Sequence, residues 1–145
     1  MKRPTLLSTL KLTACLAASL ISSGCAKTLQ IKVVDAASGV PLAGVVTIWK
    51  ENSDDLLTGR HSQTGPVTLP PTSLDGFIWI DGVHDGWANS LILSKPGYKT
   101  LYGNYSSSRM WMTERMRQHG ETIILEEPYT EAARSDSGFT VRMSR

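Results

Sequence analysis

The segment TLQIKVVDAASGVPLAGVVTIWK, residues Thr28–Lys50, decides the fold of this 145-residue chain. Near its start, Leu29, Ile31 and Val33 alternate with polar residues, which is the period-two pattern of a strand with one buried face. The letters AASG that follow indicate a turn, because the glycine can adopt positive φ without strain. The β-branched run VVTIWK then predicts a second strand. The segment therefore predicts two neighbouring strands joined by turns.

Further short apolar runs follow along the chain. Phe77–Ile80 (FIWI) is apolar on both faces, which predicts a strand in the centre of a sheet. Leu91–Leu93 and Ile123–Leu125 predict two more strands, and Phe139–Met143 is either a last edge strand or part of a loose tail. With turn residues between the runs, about seven short strands indicate an all-β sandwich.

The N-terminus has the pattern of an export signal. Lys2 and Arg3 precede an uncharged apolar run, Leu12–Ile21, which suits a secretory signal and is too short to cross a bilayer as a helix. SSGC at Ser22–Cys25 follows and resembles a lipobox, where bacterial lipoprotein signals are lipidated on cysteine and cut just before it. The sequence therefore predicts a signal peptide over residues 1–24 and lipidation, palmitate included, at Cys25.

Two alternatives to this signal remain open. LTAC, which ends at Cys15, matches a lipobox more closely letter by letter, but Lys11 interrupts the apolar run in front of it. Ordinary cleavage after Ala26 would instead leave a secreted domain without lipid.

Charge and cysteine content agree with an anchored envelope protein. Once Lys2, Arg3 and Lys11 leave with the signal, 12 basic residues stand against 13 acidic residues, so no nucleic-acid partner is expected. Cys25 is then the single cysteine of the mature chain, and acylation removes a thiol that has no disulfide partner. Ala26, where an inner-membrane retention signal would have Asp, favours the outer membrane, facing the periplasm or the cell surface.

Three segments resemble the carboxypeptidase regulatory-like domains. Val34–Val46 (VDAASGVPLAGVV) is similar to the family's opening strand and turn, Ser94–Thr100 (SKPGYKT) to its Gly-Tyr segment, and Glu121–Glu126 (ETIILE) to its closing strand. Two segments depart from the family pattern: Asp81–Asn89 replaces a Pro-Gly-x-Tyr motif, and Ser106–Gly120 resembles an insertion.

The resemblance implies a transthyretin-like (prealbumin-like) sandwich of seven strands in Greek-key order. Such domains are usually non-catalytic accessory or binding modules. On this basis residues 25–127 form the lipidated N-terminus and the sandwich. Residues 128–145 form a C-terminal tail, in which Phe139–Met143 is either an edge strand or loose chain.

One polar cluster is the candidate for catalytic chemistry. Asp81, His84 and Asp85, beside Trp87, could ligate a metal or share a proton in a metal-assisted hydrolase. However, Asp81-Gly82 and Asp85-Gly86 are turn dipeptides, and a structural turn is the preferred interpretation. We therefore assign no catalytic residue, no metal ligand and no cofactor.

The segment RMWMTERMRQH, Arg109–His119, is the candidate partner-binding segment, and it has two interpretations. As a loop it would expose an adaptable apolar surface among arginines, suited to a protein partner or to membrane headgroups. As a short amphipathic helix it would instead close one end of the sandwich, with its apolar side chains in the core. The residues concerned are Arg109, Met110, Trp111, Met112, Arg115 and Met116.

Aromatic residues offer a second possible binding surface. Tyr98, Tyr102 and Tyr105, with Trp87, could stack on a sugar, or could be ordinary packing pairs between strands. Taken together, the sequence predicts a non-enzymatic, lipid-anchored envelope protein that binds a protein or glycan partner. The alternatives are the hydrolase at Asp81, His84 and Asp85, and a secreted module without lipid.

Overall fold

The computed structural model describes residues 27–55, 60–63, 65–83, 89–120 and 122–145, with side chains omitted for 52–55, 60–63 and 122. The predicted signal peptide and Cys25 lie outside the described residues. Every regular element in the described part is a strand, and none of it forms a helix that could cross a membrane. The strands are β1 (Lys27–Asp35), β2 (Val46–Lys50), β3 (Asn52–Asp55), β4 (Arg60–Gln63), β5 (Val67–Leu69), β6 (Phe77–Val83), β7 (Asn89–Ser94), β8 (Leu101–Ser106), β9 (Arg109–Thr113), β10 (Met116–His119), β11 (Thr122–Leu125), β12 (Thr130–Glu131), β13 (Ala133–Ser135) and β14 (Gly138–Met143).

Two main sheets enclose one core. The four-stranded sheet has the order β13-β14-β1-β6, the six-stranded sheet has the order β12-β9-β8-β7-β2-β5, and β3-β4 and β10-β11 are separate hairpins. The hydrophobic core takes buried side chains from both main sheets. The prediction of an all-β sandwich is confirmed, with more strands in the two sheets than the seven predicted.

Strand β1 forms as its sequence pattern predicts. Leu29, Ile31 and Val33 are buried, and the polar residues between them lie on the outer face. Ile31 lies opposite Ile78 of β6 on one side and opposite Phe139 of β14 on the other. This strand is therefore in the middle of the four-stranded sheet, where alternate side chains point to one core face.

The C-terminal strand corrects the predicted tail. β14 runs parallel to β1 and lies between β1 and β13, so it is an interior strand rather than an edge strand or a loose end. Phe139, Val141 and Met143 alternate into the core and are at most 6% exposed. Residues 128–145 are consequently part of the sandwich, because this strand completes the sheet on the far side of β1.

Strand β6 corrects a second expectation. FIWI was expected in the centre of a sheet because it is apolar on both faces, yet β6 pairs only with β1 among the described strands and lies at the edge. Ile78 and Ile80 face the core, while Trp79 is 57% exposed on the outer face. Lys32 covers part of this outer face, with its Nζ 5.4 Å from the centre of the Phe77 ring.

The segment that was expected as a loop or a helix is a strand and a hairpin. Arg109–Thr113 forms β9, which pairs with β8 through a tight turn where Ser107 and Ser108 have positive φ. Met110 and Met112 point into the core, and Trp111 lies on the opposite face. The period of burial is thus two rather than the 3.6 of a helix, because pairing with β8 fixes the segment in an extended conformation.

Candidate functional site

A cleft of about 520 Å³ opens between the two main sheets on the side where β12 and β13 lie. Its floor is apolar and consists of Leu101, Met112 and Val141, which belong to the buried core. Four charged residues contribute to its lining: Glu114, Arg115, Glu131 and Arg142. A cavity of this size with a few polar groups around an apolar floor is typical of a binding site.

The path of the chain between the two sheets creates this cleft. β12 pairs with β9, opposite Trp111 and Met112, in the six-stranded sheet. β13 pairs with β14 in the four-stranded sheet, and only Ala132 separates β12 from β13 along the chain. The N–H of Ala132 donates a hydrogen bond to the carbonyl oxygen of Met110 at 2.9 Å. Beyond this crossing the last three residues of β14, Val141–Met143, pair with no described strand on the side of β13, and the carbonyl oxygen of the next residue, Ser144, accepts a hydrogen bond from the N–H of Lys99 at 2.8 Å. The cleft lies at this uncovered part of the two sheets.

The acidic groups of the rim have partners. Glu131 forms an ion pair with Arg109 at 3.2 Å, and the Arg109 guanidinium also lies 5.6 Å from the Trp111 ring centre. Glu114 accepts a hydrogen bond from the Ser144 hydroxyl at 2.7 Å and pairs with Lys99 at 3.1 Å. The Ser144 hydroxyl and then the Lys99 ammonium lower the pKa of Glu114 below its usual value.

The basic groups of the rim are less engaged. Arg115 and Arg142 are exposed, and neither forms an ion pair with another residue of the described part of the chain. The two acids of the rim are paired with Arg109 and Lys99, so the guanidinium groups of Arg115 and Arg142 have no ion-pair partner among the described residues. This arrangement favours an anionic group in the cleft.

The predicted partner-binding segment contributes to this cleft only in part. Met112 and Arg115 line it directly, and Arg109 reaches it through Glu131. Met110 is fully buried, Trp111 lies on the outer face of the six-stranded sheet, and Met116 is half-buried in the hairpin β10-β11. The structure therefore brings two of the six predicted residues, Met112 and Arg115, into the cleft lining, and the other four lie outside it.

Sequence reasoning missed the cleft residues that come from the C-terminal region. Glu131 and Arg142 belong to β12 and β14, far along the chain from Met112. Nothing in the local sequence marks them, because their proximity depends on the crossing of the chain at Ala132. The alternation of apolar residues in Phe139–Met143 was visible in the sequence, but the position of this strand beside the cleft was not.

Of the candidate hydrolase cluster, the structure describes only Asp81. Asp81 is exposed and accepts a hydrogen bond from the Thr28 hydroxyl at 2.6 Å. His84, Asp85 and Trp87 lie outside the described residues, so the hydrolase cluster stays a prediction. Within the parts of the chain that the structure describes, no three His, Cys, Asp or Glu side chains form a group that could hold a metal ion.

The three tyrosines do not form a common sugar-binding platform. Tyr105 is fully buried and packs edge-on against Phe139, with 5.9 Å between the ring centres. Tyr98 donates its hydroxyl hydrogen to Asp35, and Tyr102 is half-buried on the outer face of the six-stranded sheet. Packing thus accounts for Tyr105, because its position in β8 directs its ring inwards.

A buried carboxylate holds the first turn of the sandwich. Asp35 accepts hydrogen bonds from the N–H groups of Ala37 and Ser38 and from the hydroxyls of Ser38 and Tyr98. Arg145 approaches the same carboxylate at 3.6 Å. The Ser38 N–H, followed by the two hydroxyl groups, lowers the pKa of Asp35 to about 2. These contacts connect the first strand to the C-terminus.

We expect this carboxylate to contribute to stability above its unfolded-state pKa. Because the pKa falls from 3.8 to about 2 on folding, the contribution should be complete above about pH 5 and be lost progressively as the pH falls through 2. The Asp35→Asn variant should be less stable than the wild type at pH 7, with a difference that narrows towards pH 2. Denaturant unfolding at several pH values measures this difference. Asp136→Asn, an exposed carboxylate in the β13-β14 turn, is the control, and an equal effect there would contradict the assignment.

Comparison with known proteins does not identify a family for this chain. No family model and no curated protein matches the chain. Among solved structures, the chain is similar to 3-chlorocatechol 1,2-dioxygenase from Rhodococcus opacus 1CP at 12% sequence identity and a TM-score of 0.45. The match covers 86% of this chain and 61% of that enzyme, so the chain spans about three-fifths of its length. A likeness this distant supports no statement about activity.

Proposed function

We propose that this chain is a non-enzymatic, lipid-anchored protein of the bacterial envelope, which binds a protein or glycan partner in the cleft between its two sheets. Lipidation at Cys25 anchors it, in the outer membrane, facing the periplasm or the cell surface. The proposal includes a transthyretin-like arrangement of the core strands, supported by the coincidence of the segment VDAASGVPLAGVV with the end of β1 and its turn.

The position of the cleft relative to the anchor carries this proposal. β1 begins at Lys27, two residues after Cys25, so the extended chain between them reaches at most roughly 7 Å. Arg142 of the cleft lies opposite Val34, seven residues further along β1, which corresponds to roughly 23 Å at the rise of a strand. A lipid at Cys25 would hold the Lys27 end at the membrane, and the cleft would open at the distant end.

The chemistry of the cleft suits binding. Its apolar floor can bury part of a partner, and the arginines of the rim can pair with acidic groups. Such a module brings a partner to the membrane surface and leaves chemistry to other proteins.

The anchor is tested by intact mass and membrane flotation of the wild type beside Cys25→Ser in a bacterial host. We expect the wild type to begin at Cys25, to carry the mass of acyl chains and to float with membranes, while the variant does not. Two soluble proteins cut after Ala26 would contradict the anchor and support the secreted alternative.

The cleft is tested with a photo-crosslinking amino acid in the envelope of living cells. Placed at Arg115 on the rim, it should give a discrete adduct. Placed at Arg117, which is exposed, lies outside the cleft lining and pairs with Glu126, it should not. Adducts from both positions, or from neither, would contradict a partner in the cleft.

A further inference from the structure

We propose that the outer face of the four-stranded sheet, at its half next to Lys27, is a membrane-contact surface whose exposed Trp79 enters the lipid headgroup region. This inference rests on the proposed lipid anchor at Cys25 and deepens it, because it specifies which face of the sandwich meets the bilayer. Three observations carry it: an aromatic pair on this face, an ammonium group beside the pair, and the point at which the chain from the anchor enters the sheet.

The aromatic pair lies on the outer side of β6. Phe77 and Trp79 point outwards, since the isoleucines that alternate with them are buried in the core. Their ring centres are 6.0 Å apart, and Trp79 is 57% exposed, whereas Trp49 of β2 is 6% exposed. An indole combines an apolar body with an N–H donor, which is why tryptophan is enriched at the level of the lipid headgroups. The pair therefore has the chemistry of a bilayer contact.

The charged groups of this face suit an anionic bilayer. By the alternation of β1, β6 and β14, the charged residues that point outwards from these strands are Lys32, Asp81 and Arg142. Asp81 accepts a hydrogen bond from the Thr28 hydroxyl. The Lys32 ammonium lies 5.4 Å from the centre of the Phe77 ring and forms no ion pair with another described residue. It is therefore available to a lipid phosphate directly beside the aromatic pair.

The chain from the anchor enters the sheet at this corner. Trp79 lies opposite Gln30 in the register of β6 with β1, and Gln30 is five residues after Cys25. An extended chain of five residues spans at most roughly 18 Å, so a lipid on Cys25 would keep this part of the sheet close to the bilayer. A surface tethered there meets the headgroups at a high effective concentration, and even weak contacts are then occupied.

The same position favours the bilayer over other occupants. Exposed aromatic side chains also suit a sugar ring or a second copy of this chain. Either of these would have to enter the narrow space between the tethered corner and the membrane, whereas the headgroups are already there.

Contact at this corner would set the orientation of the domain. A lipid on the N-terminus restrains the position of the domain but leaves it free to rotate, and a second contact removes that freedom. The cleft takes Val141 and Arg142 from the end of β14 that pairs with Val33 and Val34, away from Lys27. Membrane contact near Lys27 therefore leaves the cleft open to a partner.

Quenching of tryptophan emission by brominated lipid tests the contact. The chain purified from bacterial membranes is reconstituted in vesicles of phosphatidylethanolamine and phosphatidylglycerol, with or without a phosphatidylcholine brominated in its acyl chains. The emission of Trp79 is the difference between the wild type and the Trp79→Phe variant. We expect bromination to lower this difference by roughly half or more, because an indole at the boundary of headgroups and acyl chains lies close to the bromine atoms.

Trp111→Phe is the matched control for the face. Trp111 lies on the outer face of the six-stranded sheet, with the Arg109 guanidinium 5.6 Å from its ring centre, and bromination should leave its emission unchanged. Lys32→Glu should reduce the quenching of Trp79, whereas Arg117→Glu, the same charge change outside this sheet, should not. Equal quenching of both tryptophans, or of neither, would overturn the inference. Shielding of Trp79 from aqueous acrylamide without quenching by brominated lipid would also overturn it, because a second copy or a glycan would then cover the face.

The intact mass of the same sample separates this inference from the proposed anchor. A chain that carries acyl groups on Cys25 and shows no quenching of Trp79 would refute only the membrane-contact surface. A chain without acyl groups would refute the anchor, and it is then mixed with the same vesicles. Quenching of its Trp79 would leave the contact surface intact, and the absence of quenching would refute both.

Discussion

A chain that ends at Asp136 should fail to fold, although the removed residues fall within a segment whose sequence predicted a C-terminal tail. The truncation removes β14 and with it the buried side chains of Phe139, Val141 and Met143. Burial of three such side chains contributes roughly 5–9 kcal/mol at about 1.5–3 kcal/mol each. This loss is comparable with the whole free energy of unfolding of a small domain, about 5–15 kcal/mol. Far-ultraviolet circular dichroism and tryptophan fluorescence of the purified truncation test whether the strands and the packed core are lost.

A shorter truncation is the control for this prediction. A chain that ends at Met143 keeps all of β14 and loses Ser144 and Arg145. Ser144 contacts Glu114 and accepts a hydrogen bond from the N–H of Lys99, and Arg145 approaches the buried carboxylate of Asp35. It should fold with reduced stability. If the chain ending at Asp136 also unfolds cooperatively with denaturant, β14 is dispensable and its interior position in the sheet is wrong.

The Gly76→Ala substitution should destabilise the protein by roughly 2–5 kcal/mol, the sum of a left-handed backbone cost and of overpacking. Gly76 has φ of 74°, a conformation that favours glycine. A Cβ there would lie 2.5 Å from the carbonyl oxygen of Val33 and 3.1 Å from the nitrogen of Leu42, both of them backbone atoms. The clash would also disturb the hydrogen bond from the N–H of Val33 to the carbonyl oxygen of Gly76, 2.8 Å long.

Gly39→Ala is the matched control, because its φ of 72° is nearly the same and a Cβ there would meet nothing within 4 Å. Its cost should be the backbone term alone, about 1–2 kcal/mol. Urea unfolding of the two variants beside the wild type gives the difference. Equal destabilisation would show that the close approach of Gly76 to β1 has no energetic consequence.

The two glycines illustrate how far sequence reasoning reaches. The turn at Gly39 was readable, because the letters DAASG between two apolar runs indicate a local conformation that needs few long-range contacts. The requirement at Gly76 was not readable. It arises from the approach of a loop to the backbone of Val33, more than forty residues earlier in the chain.

Strands β6 and β9 show the limits of hydrophobic pattern. Phe77–Ile80 was correctly predicted as a strand, but its apolar character on both faces placed it in the centre of a sheet, and the structure has it at an edge with Trp79 exposed. In β9, the apolar residues were identified and the extended conformation was not, because closely spaced Met and Trp residues fit either period over so short a length. Pairing with β8 decides between the two.

The sequence by itself determined the all-β class, the alternation that buries Leu29, Ile31 and Val33, and the turn held by Asp35, since these depend on side-chain periodicity and on local hydrogen bonds. Only the tertiary structure decided that β14 lies beside β1, and that Arg115 and Arg142 line one cleft. The physical reason is that strand pairing joins backbone groups that are nearly identical at every position. The choice of partner strand therefore depends on how all the apolar faces are buried together, and neighbouring residues in the sequence do not encode it.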